Sequence, residues 1–167
     1  MVPDPRTTRN VVAMGANLAV ITRGQNTVAA LRRALDRLTR TQSALELYRR
    51  ELRRWESADS ATRSQLLTRT DSVHARTTRL LARLRRPPDT KGIVDDTTVT
   101  SRVQEALGRA TSTPDQPAQQ RVEVLDRAVG DADAVLAEID RFYATEVAGL
   151  REALRAAGFE LLGGVPQ

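Results

Sequence analysis

Residues 113–158, which read TPDQPAQQRVEVLDRAVGDADAVLAEIDRFYATEVAGLREALRAAG, decide the fold of this chain. Their apolar residues recur every three or four positions, which is the spacing that places them along one side of an α-helix. A single helix of about 44 residues is roughly 66 Å long, because each residue adds about 1.5 Å. A helix of that length has no core of its own, so the rest of the chain must cover its apolar stripe. The stripe comprises Val122, Leu125, Val129, Ala132, Leu136, Ile139, Tyr143, Val147, Leu150, Leu154 and Ala157.

Both ends of this stretch carry the signals of a helix terminus. Thr113 is suited to the N-cap, Pro114 to the first helical position, and Gln116 completes a capping box with Thr113. Gly158 can adopt the left-handed conformation that ends a helix, and Phe159 can then fold back onto it. The stretch therefore predicts one long helix with defined ends.

The composition favours a helical bundle. Of the 167 residues, 40% are hydrophobic but only 3% are aromatic, so the core must consist mostly of Leu, Val and Ala. A chain of this length can bury a core if its helices pack side by side. It contains no cysteine, which excludes disulfides, thiolate metal sites and a cysteine nucleophile.

A second long helix is predicted near the N-terminus, over residues 8–56. It ends near Trp55, the only Trp in the chain, which we expect to plug the end of the core; an interface anchor is the alternative. Gly15 and Gly24 each weaken the helix by roughly 1 kcal/mol relative to Ala, so they mark either a close backbone approach or a bend. The apolar register is Val11, Met14, Leu18, Ile21, Gln25, Val28, Leu31, Leu35, Leu38, Gln42, Leu45, Tyr48, Leu52 and Trp55.

Two shorter helices are predicted between the long ones, over residues 60–86 and 97–110. Asp59 and Ser60 can both cap the first of them, and Pro87-Pro88 ends it because proline cannot continue a helix. The faces that we expect to be buried are Leu66, Thr70, Val73, Thr77, Leu80, Leu81 and Leu84 in the first, and Val99, Val103, Ala106, Leu107 and Ala110 in the second.

The lengths of these helices decide the topology. The two long helices match, at about 49 and 44 residues, and the broken segment between them spans about 51 residues. Short turns reverse the chain, so the middle segment can run back along the first helix as two collinear pieces. The predicted fold class is all-α, an elongated antiparallel three-layer helical bundle (up-down-up) with the middle strand broken into two helices. It forms one domain at 9–158, with helices at about 8–56, 60–86, 97–110 and 114–157, after an extended lead-in at 1–8 and before a tail at 159–167.

The net charge of +5 is divided unevenly along the chain. Residues 1–91 contain 19 Lys and Arg against 8 Asp and Glu, whereas residues 92–167 contain 7 against 13. Basic helices beside an acidic helix neutralise much of each other's charge. Asp36, Glu46 and Glu51 interrupt the dense arginines of the first helix, which argues against a dedicated nucleic-acid site. No run approaches the ~18 apolar residues of a transmembrane helix, so no membrane span is predicted.

The residues offer no catalytic or metal-binding constellation. A di-iron bundle site needs repeated Glu-x-x-His pairs, and this chain has a single histidine, His74, in Asp71-Ser-Val-His74. There is no Gly-x-Ser-x-Gly elbow for nucleophilic hydrolysis. Asp95-Asp96 is explained by helix capping, with Asp96 as the cap of the 97–110 helix, better than by a cation site. The sequence predicts a protein that is not an enzyme and has no cofactor or metal.

Several segments together suggest a family. They are Asp4-Pro5-Arg6 before the first helix, Leu52-Arg53-Arg54-Trp55 at its end, Lys91-Gly92-Ile93, Val103–Leu107, Thr113-Pro114, and Phe142–Leu150 running on to Ala157-Gly158. In this order they resemble the C-terminal helical segment of bacterial sortilin-like or BNR-repeat glycosyl hydrolases. The resemblance implies a β-rich domain upstream that holds any hydrolytic residues. It also implies that the protein is exported, to the periplasm or beyond, and that this chain is an accessory domain.

We therefore expect a non-catalytic helical-bundle module that mediates packing between domains or proteins, as the C-terminal part of a larger exported protein. Its partner would be another protein or the upstream β-rich domain, and a homodimer could form if the sparse Leu66–Leu84 face leaves the long helices partly uncovered. The alternative is a free-standing cytoplasmic adaptor or polyanion-binding bundle that uses the Arg-rich first helix. The candidate interaction surface is Arg49, Arg50, Arg53, Arg54 and Trp55.

Overall fold

The computed structural model describes residues 11–56, 58–86, 98–112 and 119–159, and every regular element in those ranges is a helix. In chain order these are α1 (Val11–Arg54), α2 (Ser60–Leu84), α3 (Val99–Ala110), α4 (Gln119–Phe142), a π-helix (Tyr143–Val147) and α5 (Ala148–Ala156). They pack against one another around a hydrophobic cluster, so the predicted all-α class is confirmed. None of the described helices is apolar enough over a sufficient length to cross a bilayer.

Some predictions fall outside the described residues. They concern the lead-in at 1–8, Pro87-Pro88, Asp95-Asp96, the capping box from Thr113 to Gln116, and the tail beyond Phe159.

Pairs of contacting residues give the directions of the helices. Residue numbers run in opposite senses along α1 and α2, and again along α3 and α4, so each of these pairs is antiparallel. The numbers rise together along α1 and α4, which are therefore parallel. The chain therefore runs in one direction along α1 and α4 and in the opposite direction along α2 and α3. The defining pairs are Arg49–Asp71, Glu46–His74 and Gln42–Thr78 for α1 and α2, Arg102–Asp131 and Arg121–Arg109 for α3 and α4, and Arg23–Asp126 and Arg37–Asp140 for α1 and α4.

The inner face of α2 is the one predicted from its spacing. All seven expected residues are buried, including two threonines. The hydroxyls of Thr70 and Thr77 donate to the carbonyls of Leu66 and Val73, at 2.7 and 2.8 Å. These bonds within the helix satisfy the buried hydroxyls, which would otherwise cost free energy to desolvate.

The buried face of α4 is wider than predicted. Ala128, Val135 and Phe142 are buried in addition to the expected stripe, whereas Val122 and Leu136 are only half-buried. The reason is that α4 packs against both α1 and α3, and a helix with two neighbours needs a broader apolar face than one with a single seam.

The prediction of one uninterrupted α-helix over 114–157 is wrong at residues 143–147, which form the π-helix. The amide of Ala148 donates to the carbonyl of Tyr143, five residues back. In the apolar stripe, Ile139, Tyr143 and Val147 are separated by two consecutive steps of four. Each such step rotates the stripe by about 40° in an α-helix, and the wider π turn absorbs the extra residue so that the stripe stays on the core side.

The helix ends are closed by local hydrogen bonds. Gly158 has a φ of 71°, as predicted, and Phe159 folds back so that its amide donates to the Leu154 carbonyl at 3.0 Å. Asp59 caps α2 as expected, by accepting from the Thr62 amide at 2.8 Å. The start predicted for the third helix is wrong: α3 begins at Val99, with Thr98 rather than Asp96 at the N-cap. The Thr98 hydroxyl accepts from the Ser101 amide and so serves the same purpose two residues later.

The first part of α1 departs from the predicted register. Leu18 is 63% exposed and Gln25 is exposed, whereas Thr27 and Ala34 are buried. A Cβ atom on Gly24 would lie 2.6 Å from Cδ1 of Leu107, so this glycine marks a close approach between α1 and α3.

The position of that contact explains why Leu18 is uncovered. Because α3 runs antiparallel to α1 and ends at Ala110, three residues beyond Leu107, it stops about one turn before Leu18 on α1. The first turns of α1 therefore extend past the end of α3.

Candidate functional site

The five residues of the predicted interaction surface have different environments. Arg49 forms an ion pair with Asp71, with Nε 2.5 Å from Oδ1, and Arg54 lies 4.0 Å from Glu51 on its own helix. Arg50 and Arg53 are exposed and have no ion-pair partner among the described residues. The arginines thus lie at the end of α1, but two of them already have acidic neighbours.

Trp55 closes the top of the bundle. Its ring packs edge-on against Phe159, with 4.9 Å between ring centroids, and it is one of the partly buried residues in contact with the core. Tyr48 contacts the same phenylalanine at 6.0 Å, and the Trp55 carbonyl accepts from Arg63 at 3.1 Å. The structure therefore places Trp55 at the end of the core, as predicted, in contact with Phe159 after α5 and with Arg63 of α2.

The single histidine lies at the boundary between core and surface. His74 Nε2 is 3.7 Å from Glu46 Oε1, and its side chain is 21% exposed. Among the described residues, no group of three His, Asp or Glu side chains is arranged to hold a metal ion.

A groove lies at the opposite end of the bundle, where α1 extends past α3. It is an open concavity of about 670 Å³ between the first turns of α1 and the middle of α4. We call it the α1 groove; its lining includes Gly15, Leu18, Ala19, Thr22 and Val129.

Small side chains make this groove and polar groups bound it. Gly15, Ala19 and Thr22 follow one another at steps of four and three on α1, and a Cβ atom on Gly15 would meet no atom within 4 Å. At one edge Arg23 is paired with Asp126 at 2.7 Å. At another edge Asp133 is exposed and has no ion-pair partner in the part of the chain that is described. The arrangement can hold an apolar segment with one basic group.

The α1 groove was not identified from the sequence. The spacing rule assigned Leu18 to the core because it continues the register of Val28 and Leu31. The available signal was the glycine at position 15, four residues before Ala19, which leaves one helix face without side-chain bulk. Where α3 would stop along α1 depends on the Gly24–Leu107 contact, which no periodicity shows.

A comparison of the chain with protein-family models, with curated proteins and with solved structures finds no match in any of the three. The resemblance to sortilin-like proteins therefore stays a prediction.

Proposed function

We propose that this chain is a non-catalytic helical-bundle module that binds an amphipathic helix of a partner in the α1 groove. The partner is another protein or a neighbouring domain of the same polypeptide, which corresponds to the accessory, scaffolding role expected from the sequence. The observation that carries the proposal is the exposed side chain of Leu18 beside a row of small residues that leave the groove open.

The groove has the chemistry of a helix-binding surface. Gly15, Ala19 and Thr22 project few atoms, so the backbone of a second helix can approach α1 closely. Large apolar side chains of that helix would contact Leu18 and Val129, and a basic side chain would pair with Asp133. A partner helix with an apolar stripe and a flanking Lys or Arg matches these features.

The expected contribution of Leu18 follows from its exposure. Burying a leucine completely is worth about 1.5–3 kcal/mol, and this side chain is 63% exposed. Covering it would contribute about 1–2 kcal/mol, which is roughly a fivefold to thirtyfold change in affinity. The Leu18→Ala variant should weaken partner binding by that factor.

The absence of cysteine makes a site-specific test straightforward. A Leu18→Cys variant carrying a photoreactive group on its only thiol would be cross-linked in an extract of the source cells, and the product would be identified by mass spectrometry. Ser43→Cys is the matched control, because Ser43 is exposed on the same helix but lies outside the groove.

The proposal predicts one recurrent product from position 18, with the cross-link in an amphipathic helix, and no such product from position 43. Adding Gly15→Leu should abolish that product, because a Cβ atom at this position meets nothing within 4 Å and the rest of the new side chain would occupy the groove. Equal labelling from both positions would contradict the proposal. A cross-link to a second copy of this chain would also contradict it, since the groove would then be a homodimer interface.

A further inference from the structure

A polar cleft lies further along the same face of α1, beside the π-helix. It has a volume of about 370 Å³ and lies between α1 and the segment formed by the π-helix and α5. We call it the arginine cleft. Its lining residues are Arg33, Asp36, Arg37, Arg40 and Thr41 of α1, Tyr143 of the π-helix and Arg151 of α5.

Arg37 is held in place at the centre of this cleft. Its guanidinium carbon lies 3.5 Å from the centroid of the Tyr143 ring, a cation–π contact. Its Nη1 lies 3.5 Å from Oδ1 of Asp140 on α4. Two neighbours therefore orient the guanidinium while more than half of its side chain stays exposed to solvent.

Tyr143 is itself fixed by the bundle. The ring is buried, and its hydroxyl oxygen is 2.8 Å from Oγ1 of Thr41. Thr41 donates to the Arg37 carbonyl at 3.0 Å, so the Tyr143 hydroxyl can donate to Thr41. Burial raises the pKa of Tyr143, against the opposing effects of the Thr41 hydrogen bond and the Arg37 and Arg151 charges. The phenol is therefore neutral at physiological pH and does not cancel the positive charge of the cleft.

The cleft has an excess of positive charge. Arg33, Arg40 and Arg151 are exposed and have no carboxylate partner among the described residues. Four arginines thus face the carboxylates of Asp36 and Asp140, which leaves a local charge of about +2. On the α2 side of α4, by contrast, Arg76 and Arg83 share Glu138. An anion in the cleft would relieve the repulsion among these guanidinium groups.

The spacing of the arginines limits the size of that anion. Arg33, Arg37 and Arg40 lie on successive turns of one helix face and span about 10 Å along the axis. Guanidinium groups bind phosphate oxygens through two parallel hydrogen bonds. A span of this length suits two or three linked phosphates, whereas a nucleic-acid strand needs a track of about four nucleotides or more.

We propose that the arginine cleft binds a free di- or triphosphate group, with Arg37 as the oriented anchor and Arg33, Arg40 and Arg151 as its flanking contacts. The π-helix forms part of this site: its first residue, Tyr143, lies beneath Arg37, and α5, which carries Arg151, follows it directly. Single π turns inside α-helices occur frequently at functional sites. The site is separate from the α1 groove and does not depend on it.

The test is a calorimetric titration of the whole chain with sodium tripolyphosphate at fixed ionic strength. The proposal predicts saturable binding with one site per chain. Arg37→Gln should weaken it at least tenfold, and Arg40→Gln about threefold or more. Arg53→Gln is the matched control: it removes the same charge from an exposed arginine of α1 outside the cleft, and it should change the affinity less than twofold.

Arg40→Gln keeps the test decisive if Arg37→Gln perturbs the fold, because Arg40 has no ion-pair partner among the described residues. Equal affinity for adenosine triphosphate would support recognition of the phosphate chain alone, and tighter binding of the nucleotide would support a nucleotide as its source. The proposal would be overturned if tripolyphosphate showed no saturable binding, or if Arg40→Gln and Arg53→Gln lost equal affinity for it. It would also be overturned if a single-stranded oligonucleotide bound more tightly than tripolyphosphate and Arg53→Gln weakened the binding of that oligonucleotide. A loss of tripolyphosphate binding would leave cross-linking through position 18 unaffected.

Discussion

Alanine substitution at two glycines of α1 tests the packing that leaves the α1 groove open. Gly15 and Gly24 are both interior positions of the same helix, where replacing Gly with Ala gains about 0.8–1 kcal/mol of helix propensity. They differ in their surroundings. A Cβ atom at Gly15 meets nothing within 4 Å, whereas at Gly24 it would lie 2.6 and 3.1 Å from the two terminal carbons of Leu107.

The expected free energies follow from this difference. Gly15→Ala should stabilise the fold by about 1 kcal/mol, or roughly 2–4 °C in melting temperature for a chain of this size. Gly24→Ala should gain the same propensity but lose about 1–2 kcal/mol, because Leu107 must leave its preferred rotamer or α3 must shift. The two variants should therefore differ by about 1–2 kcal/mol, with Gly24→Ala neutral or destabilising.

The assay is thermal and urea unfolding followed by far-UV circular dichroism. A third variant, Leu107→Ala, removes the conflicting atoms, so Gly24→Ala in that background should recover the full gain seen at Gly15. The coupling between positions 24 and 107 would then be about 1–2 kcal/mol. Equal stabilisation at both glycines with Leu107 intact would refute the close approach and, with it, the proposed end of α3 relative to Leu18.

Three further substitutions test the ends and the interior of helices, and one deletion tests the π-helix. Hydrogen bonds from Thr62 lower the pKa of Asp59. The contribution of Asp59 to the free energy of unfolding is therefore present above the ordinary carboxyl pKa and is lost as the pH falls through the lowered value. Plots of the free energy of unfolding against pH should converge at acidic pH for the native chain and Asp59→Asn. Gly158→Ala should destabilise by about 1–2 kcal/mol because φ is positive there, whereas Gly149→Ala, in open space within α5, should stabilise by up to about 1 kcal/mol in the same unfolding assay. Deleting the exposed Ala144 should convert the π turn to an α turn while preserving the fold and weakening tripolyphosphate binding; unchanged binding would show that the π turn does not shape the cleft.

The sequence is most informative where a helix has one clear apolar face. Every residue predicted to be buried in α2 is buried, since each threonine in that face can satisfy its hydroxyl within the helix. It is less informative for α4, where Ala128 and Val135 are also buried. Spacing identifies the centre of an apolar stripe, but it does not reveal how many neighbours the helix will have.

The two proposed sites depend on register between helices, which a single sequence does not contain. Arg33, Arg37 and Arg40 were visible as part of a dense basic helix, but Tyr143 and Arg151 reach them only because α1 and α4 run parallel with a fixed offset. The exposure of Leu18 likewise depends on where α3 ends. The one local sign of the π-helix was the spacing of Ile139, Tyr143 and Val147 in the apolar stripe, which are separated by two consecutive steps of four residues.

Amide hydrogen exchange tests the central proposal most directly. It would be measured on the chain alone and on the chain bound to the partner that is captured through position 18. If a helix binds in the α1 groove, exchange should slow at 15–23 on α1 and near Val129 and Asp133 on α4, because these segments line the groove. Exchange along α2 should stay the same. Slowing along α2 with no change at 15–23 would contradict the proposal.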